Sequence, residues 1–213
     1  MKRTLSKPLI LASSSPRRQE LLASLGLDFE TVSPAVDESA FHLEHLSPDE
    51  IVKFLSRTKA QEVFKRNPHA IVIGADTIVV CNGEIFGKPR DEADAFRMLG
   101  ALQGNRHAVY SGITVFHPCE APDFPPFVSD ALCTQVLMRP LRAEDIHAYI
   151  ATGEPMDKSG AYAIQGYGST LIERIEGCYF NVVGMSLFLL NQQLSALGEN
   201  LLAQAVLPAP SGQ

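Results

Sequence analysis

The chain has 213 residues, 46% of them hydrophobic and 20% charged, a globular composition long enough for one ordinary domain or one two-lobed unit around a cleft. With 18 Lys+Arg against 24 Asp+Glu the net charge is −6, which argues against binding long nucleic acid, where many phosphates must be met by basic side chains. A single small anion can still be held, because the charge at one site can oppose the global sign.

The basic segment Met1 to Pro8 is followed by only Leu9-Ile10-Leu11-Ala12, too short for a signal-peptide core, and this run reads as a buried first strand. Ser15 and Pro16 open a helix as N-cap and first helical residue, Leu21, Leu22 and Leu25 give it an apolar face, and Gly26 stops it. Phe29 to Val36 reads as extended. Ser47-Pro48-Asp49-Glu50 is a capping box, and an amphipathic helix runs from it to Asn67-Pro68. Ala70 to Ile73 reads as a buried strand, Thr77 to Val80 as a further extended run, and Asn82-Gly83 as a hairpin turn. Asp91 caps a helix through Phe96, Leu99 and Leu102, closed by Gly104.

Two long strands are predicted around 108–116 and 127–138, joined by a Pro-rich connector over 118–126, and a short helix over 143–151. The stretch 154–168 reads as an ordered functional loop or lid. A last strand is placed over 169–175, one helix over 182–197, and a disordered tail over 208–213, leaving a single domain over 1–207. Strands and helices interleave, but two strand links are hairpin-like. The expected class is therefore α/β with a mixed sheet.

Five places could carry chemistry. Ser13-Ser14-Ser15-Pro16-Arg17-Arg18 passes from strand to helix start, where unpaired amides and the positive dipole end favour an anion. Two arginines in a first turn oppose that dipole, so something negative should compensate them. A polyphosphate does so well; a solvated basic turn is the alternative. In Gly74-Ala75-Asp76-Thr77, Asp76 falls at the predicted end of a strand, where site carboxylates gather in α/β proteins, although an Asp capping its own turn is the commoner fate. Glu38, in Val36-Asp37-Glu38-Ser39, is either an oxygen ligand for a hard cation or part of a solvated acidic loop. Lys59 and Lys88 are either point charges for phosphate or surface lysines. Gln165 offers both a donor and an acceptor, which suits a base edge, or else is an exposed amide in a tight loop.

No Walker loop and no nucleophile elbow is present in the sequence. The four cysteines (Cys81, Cys119, Cys133, Cys178) form no C-x-x-C pair, which points to a reduced cytoplasmic setting. His42 and His45 lie three apart in a polar loop, without metal-ligand spacing.

Taken together, Leu11 to Arg18, Gly74 to Thr77, Gly87-Lys88-Pro89 and Glu154 to Tyr162 resemble the Maf family of nucleotide pyrophosphatases, over about Leu9 to Leu197. The resemblance implies a two-lobed, inosine-triphosphatase-like fold, a mixed twisted sheet flanked by helices around a central cleft, and cleavage between the α- and β-phosphates. It places the catalytic carboxylate on Asp76 and phosphate contacts on Ser13, Arg17, Arg18, Lys59 and Lys88. A divalent metal, Mg²⁺ or Mn²⁺, falls to Glu38 with Asp76, and a homodimer would be usual. The family's dTTP/UTP branch carries Arg, Thr and Gln at three selectivity positions, here Arg17, Thr77 and Gln165. The features of the 7-methyl-GTP branch are absent. Ala163 stands where the family usually has Gly, Ser186 where it commonly has Pro, and the connector over 118–126 looks long.

The resemblance implies a mechanism in which Asp76 orients or deprotonates a water that attacks the α-phosphorus in line. Two other readings stay open at this stage: a purine enzyme acting on ITP or XTP, and a nucleotide-sensing division regulator without turnover.

Overall fold

The computed structural model describes residues 5–118 and 125–202. Six helices and a seven-stranded sheet make up the described fold. The strands are β1 (Leu9–Ala12), β2 (Glu30–Thr31), β3 (Ile71–Cys81), β4 (Glu84–Phe86), β5 (Arg106–Phe116), β6 (Phe127–Met138) and β7 (Ile172–Glu176). The helices are α1 (Pro16–Ser24), α2 (Pro48–Arg66), α3 (Glu92–Leu102), α4 (Ala143–Ala151), α5 (Tyr179–Val183) and α6 (Leu187–Ala196). Strand order is β2-β1-β3-β5-β6-β7, with β4 paired to β3. β1 runs parallel to β2 and β3, and every other pairing is antiparallel, so the sheet is mixed as expected.

Local chemistry sets most of the boundaries. The Ser47–Glu50 capping box is formed, with the Ser47 amide donating to Glu50 Oε2 at 2.8 Å. Asp91 caps α3, accepting from the Asp94 amide at 2.7 Å. Asn82 and Gly83 take φ of +51° and +81°, the paired left-handed conformations of a two-residue hairpin between β3 and β4.

Several expectations need correction. The extended run 29–36 pairs with the sheet only at Glu30–Thr31. The last strand begins at Ile172, because residues 166–171 form a 3-10 segment. The single helix expected over 182–197 is two. Gly184, at φ +138°, ends α5, and Ser186 restarts the chain as N-cap of α6, accepting from the Leu189 amide at 3.2 Å. A serine at 186 thus gives α6 its cap. The connector at 119–124, Cys119 and the tail at 208–213 lie outside the described residues.

The sheet separates two layers of core. On one face, even-numbered residues of β3 and the Gly112 position of β5 meet α2. On the other, the first half of β3 packs Ile71, Ile73 and Ala75 against α1 and α6, while the second half packs Val79 and Cys81 against α3 and α4. The two lobes are these two helix groups on one sheet face.

Two glycines allow α2 to sit against the sheet. A Cβ at Gly112 would lie 2.2 Å from the Val52 carbonyl oxygen, and one at Gly74 would lie 2.3 Å from that of Ser56. Those are backbone atoms of a helix, which cannot swing aside. Gly112→Ala is therefore expected to destabilise the protein by about 1–3 kcal/mol through overpacking, read as a lower urea midpoint at unchanged slope. A midpoint equal to wild type would mean that α2 is not seated as described.

His107 on β5 is 2% exposed, and its Nε2 lies 2.7 Å from the Tyr162 hydroxyl. Burial pushes its pKa down from 6.5 to about 4, against a smaller opposing effect of the Asn105 backbone. The unfolded chain therefore takes up this proton first. The contribution is complete above pH 6.5 and is lost as pH falls toward 4, reaching about 3 kcal/mol. His107→Gln should show a smaller stability loss than wild type between pH 7.5 and 4.5 in urea denaturation. Equal losses would place the acid sensitivity elsewhere.

Candidate functional site

The site opens where β3 loses a neighbour. Along one edge of β3 the parallel pairing with β1 ends at Ala12↔Gly74, and the antiparallel pairing with β4 begins at Val79↔Phe86. Residues 75–78 between them have β5 on one side and no strand on the other. A cavity of about 590 Å³ lies at this gap, within the usual size range of small-molecule sites. The sequence reading put Asp76 at the end of its strand. In the structure β3 continues through Asp76 to Cys81, and it is the neighbour β1 that ends. The strand-end expectation for Asp76 is therefore corrected: the strand that ends beside it is β1.

All nine residues singled out from the sequence line this cavity: Ser13, Arg17, Arg18, Glu38, Lys59, Asp76, Thr77, Lys88 and Gln165. Alternation along β3 turns Asp76 toward α2 and Thr77 toward α1 and α5. On the α2 side Lys59 Nζ donates to Asp76 Oδ1 at 2.5 Å and pairs with Glu38 Oε1 at 2.7 Å. One ammonium thus draws two carboxylates together from segments far apart in sequence. Glu38 stands in a 3-10 turn whose N-cap, Asp37, accepts from the Ser39 amide.

On the other side the Arg18 guanidinium donates from Nε to the Gly184 carbonyl at 3.0 Å, from Nη2 to Thr77 Oγ1 at 3.1 Å and from Nη1 to Ser13 Oγ at 3.4 Å. Thr77 Oγ1 also donates to the Gly184 carbonyl at 3.2 Å and lies 2.9 Å from Ser111 Oγ. Arg18 thereby ties α1, β3 and the α5–α6 junction together at the floor of the cavity.

For Arg17 the negative partner that the sequence reading called for is supplied within the chain. No acidic residue stands in the first turn of α1, but Arg17 Nη1 pairs with Asp157 Oδ2 at 3.0 Å, across the cavity mouth. Part of the compensation is the chain's own. Lys88 sits exposed in the β4–α3 connection and makes no ion pair among the described residues. Gln165 is exposed and lines the same cavity.

Asp76 is 7% exposed. Burial pushes its carboxyl above the usual carboxylate range, the Lys59 ammonium and the Arg18 guanidinium pull it back, and Glu38 adds to the rise. Burial likewise works against the charge on Arg18, with Asp76 as the chief opposing influence. The charges in this cavity are therefore mutually dependent, a pattern that gathers at functional sites.

Among the described residues no cluster of three or more His, Cys, Asp or Glu could hold a metal by itself. The donors present are two carboxylates, both within hydrogen-bond reach of one cation. That set fits a hard divalent ion that takes one or two carboxylates and completes its shell with water and substrate phosphate, and does not fit a closed structural site.

The sequence reading took 154–168 as a functional loop or lid and gave a role only to Gln165 within it. The structure adds Asp157, as partner of Arg17, and Ser159, whose Oγ donates to the Thr77 carbonyl at 3.0 Å. It also adds Ser111 and the Gly184 carbonyl, contacts that have no local sequence signature. Glu154 accepts from the Gly168 amide at 2.9 Å, the Tyr167 amide at 3.0 Å and the Tyr149 hydroxyl at 2.8 Å.

The sequence profile of a family described as Maf-like protein matches residues 8–197. A protein of Dictyoglomus thermophilum named dTTP/UTP pyrophosphatase is 50% identical over 198 residues, covering 93% of this chain and all of that one. A protein of the same name from Geotalea uraniireducens is 49% identical over 179 residues, covering 84% of this chain and 89% of that one. Among solved structures, a nucleoside-triphosphatase / dITP/XTP pyrophosphatase of Mycobacterium abscessus aligns over 89% of this chain and 94% of its own, at 15% identity and a TM-score of 0.42. A likeness that distant carries no inference about activity.

Proposed function

This chain belongs to the Maf family, and we propose that it hydrolyses dTTP and UTP to the nucleoside monophosphate and pyrophosphate. The observation that carries the reading is the meeting of Asp76, Glu38 and Lys59 on one side of the cavity with Arg18, Thr77 and Ser13 on the other, in a chain half identical to relatives bearing that name. The chain works as one catalytic domain over 1–207, in the cytoplasm, with a homodimer as the expected assembly and no role for long nucleic acid. Among the described residues no helix is long and apolar enough to cross a membrane.

The triphosphate lies between the two charged sides. Arg18 uses three of its five N–H groups on the protein, so two remain to meet phosphate oxygens. Lys59 has one of its three N–H groups left after Glu38 and Asp76, and Lys88 adds a cation from the rim. Asp76 and Glu38 would hold Mg²⁺ or Mn²⁺, which would supply Lewis-acid neutralisation of the phosphates.

Asp76 orients a water and accepts its proton as the oxygen attacks the α-phosphorus. The bond from that phosphorus to the bridging oxygen breaks, and pyrophosphate leaves with that oxygen. Arg18, Lys59 and Lys88 offset the charge that builds on the phosphates. A carboxyl raised by burial is a better proton acceptor than an exposed aspartate, while Lys59 and Arg18 favour its charged form. Gln165, with Arg17 and with Thr77 beside Arg18, selects the pyrimidine. Arg17 reaches substrate once it exchanges Asp157 for it.

The test is a panel of dTTP, UTP, CTP, 7-methyl-GTP and ITP with Mg²⁺ or Mn²⁺, scored by pyrophosphate release. Preferential turnover of dTTP and UTP supports the reading. Preference for 7-methyl-GTP or ITP would overturn the base assignment, and no release from any of them would leave a binding module.

A further inference from the structure

We infer that Tyr149 and Glu154 are positioning residues for Gln165, and through it determinants of base selectivity. The inference rests on the reading of Gln165 as the base-facing residue.

The Gln165 side chain carries no fixed partner of its own among the described residues, and its extended backbone segment lies between two 3-10 turns, Ser159–Ala161 and Gly166–Leu171. Both flanks of that segment are nevertheless clamped by one side-chain pair. On the N-terminal side the Ala163 amide donates to the Tyr149 hydroxyl at 3.1 Å. The same hydroxyl donates to Glu154 Oε1 at 2.8 Å. On the C-terminal side the Gly168 amide donates to Glu154 Oε1 at 2.9 Å and the Tyr167 amide to Glu154 Oε2 at 3.0 Å. Two side chains five residues apart, one in the last turn of α4 and one opening the 3-10 turn after it, thus hold three amides that bracket Gln165.

The fit is tight. Gly166 sits at φ +60°, and a Cβ there would lie 2.4 Å from Glu154 Oε2. A Cβ at Gly168 would lie 2.7 Å from the Tyr149 hydroxyl. The backbone around Gln165 is therefore shaped to the Tyr149–Glu154 pair. Neither residue belongs to the charged set around Asp76, and neither lines the cavity. Their effect on substrate must pass through the loop.

This arrangement separates base reading from phosphate chemistry. A loosened loop lets the Gln165 amide point in several directions, and an amide that is not pre-aimed loses much of what its hydrogen bonds contribute to discrimination. The phosphate groups and Asp76 are held by other elements and are unaffected.

The experiment compares wild type, Tyr149→Phe, Glu154→Gln and Gln165→Ala, each checked for folding by circular dichroism, with dTTP, CTP and 7-methyl-GTP. Tyr149→Phe and Glu154→Gln are expected to lower the ratio of kcat/KM for dTTP over 7-methyl-GTP by about tenfold, the worth of one well-placed hydrogen bond. The loss should appear in KM for dTTP, with kcat within about threefold of wild type. In a Gln165→Ala background either change should add nothing further to the selectivity loss, since both act through the same amide.

A merely structural role would lower all three substrates by the same factor and leave the ratio intact, and that result overturns the proposal. If Gln165→Ala itself leaves the ratio unchanged, the base assignment falls and the proposal with it. If Gln165→Ala collapses the ratio while both positioning variants keep it, the positioning claim alone falls. Two chemically different variants keep the test open should one of them fail to fold.

Discussion

Asp76→Asn is expected to lower kcat for dTTP by at least about 10²–10³, with the fold intact. The substitution keeps the shape of the side chain and an oxygen that can accept from Lys59. It removes the negative charge and the proton acceptor. Stability should hold, or rise slightly, because burial already works against the charged form of this carboxyl. The Lys59 ammonium would keep Glu38 as its partner. Thermal unfolding and steady-state kinetics on the same preparation check both halves. Near wild-type turnover would remove Asp76 from the chemistry. A collapse of Tm together with activity would mean that the Lys59–Asp76 pair is chiefly a structural bond.

Arg18→Ala is expected to cost at least about 10² in kcat/KM, and here stability should fall as well. The guanidinium donates to the Gly184 carbonyl, Thr77 and Ser13, so its removal takes a charged donor from three oxygens that keep only neutral partners. A loss of about 2–3 kcal/mol is in keeping with hydrogen bonds to a charged group. Arg18→Lys separates the two effects. It keeps a charge for phosphate but cannot fork to three acceptors. If both variants are equally inactive while Arg18→Lys is nearly as stable as wild type, the guanidinium geometry matters to substrate itself. If Arg18→Lys recovers most activity, charge alone suffices.

The sequence was most legible where a residue's role is set by its neighbours along the chain. The Ser47–Glu50 box, the Asp91 cap, the Asn82-Gly83 hairpin and the helix over 143–151 all stand as read. The break at Gly184 was not legible, because Val182 to Leu197 keeps an apolar pattern across it. Only the backbone conformation of Gly184 and the cap at Ser186 reveal two helices. The strand through Asp76 was cut short for a similar reason. Gly74 reads as a breaker in isolation, whereas in the fold it makes room for α2.

The candidate site shows the same division. Its nine residues lie in segments marked by their own chemistry, received their roles from the family resemblance, and converge on one cavity. What could not be read was who holds whom. The Arg17–Asp157 pair spans 140 positions and the Arg18–Gly184 bond 166, and nothing local marks either. The clamp on Gln165 was hidden within a run whose letters were noticed but whose geometry was not. Contacts of that kind depend on chain reversal in three dimensions, which periodicity and capping rules do not encode.

The central claim is attack by water at the α-phosphorus of a pyrimidine triphosphate. It is tested most directly by hydrolysing dTTP in water labelled with heavy oxygen and locating the label by mass spectrometry. The account predicts dTMP carrying one labelled oxygen and unlabelled pyrophosphate. Label in pyrophosphate, with unlabelled dTMP, would place the attack on the β-phosphorus, and dTDP with inorganic phosphate would place cleavage at the other anhydride; either result would contradict it.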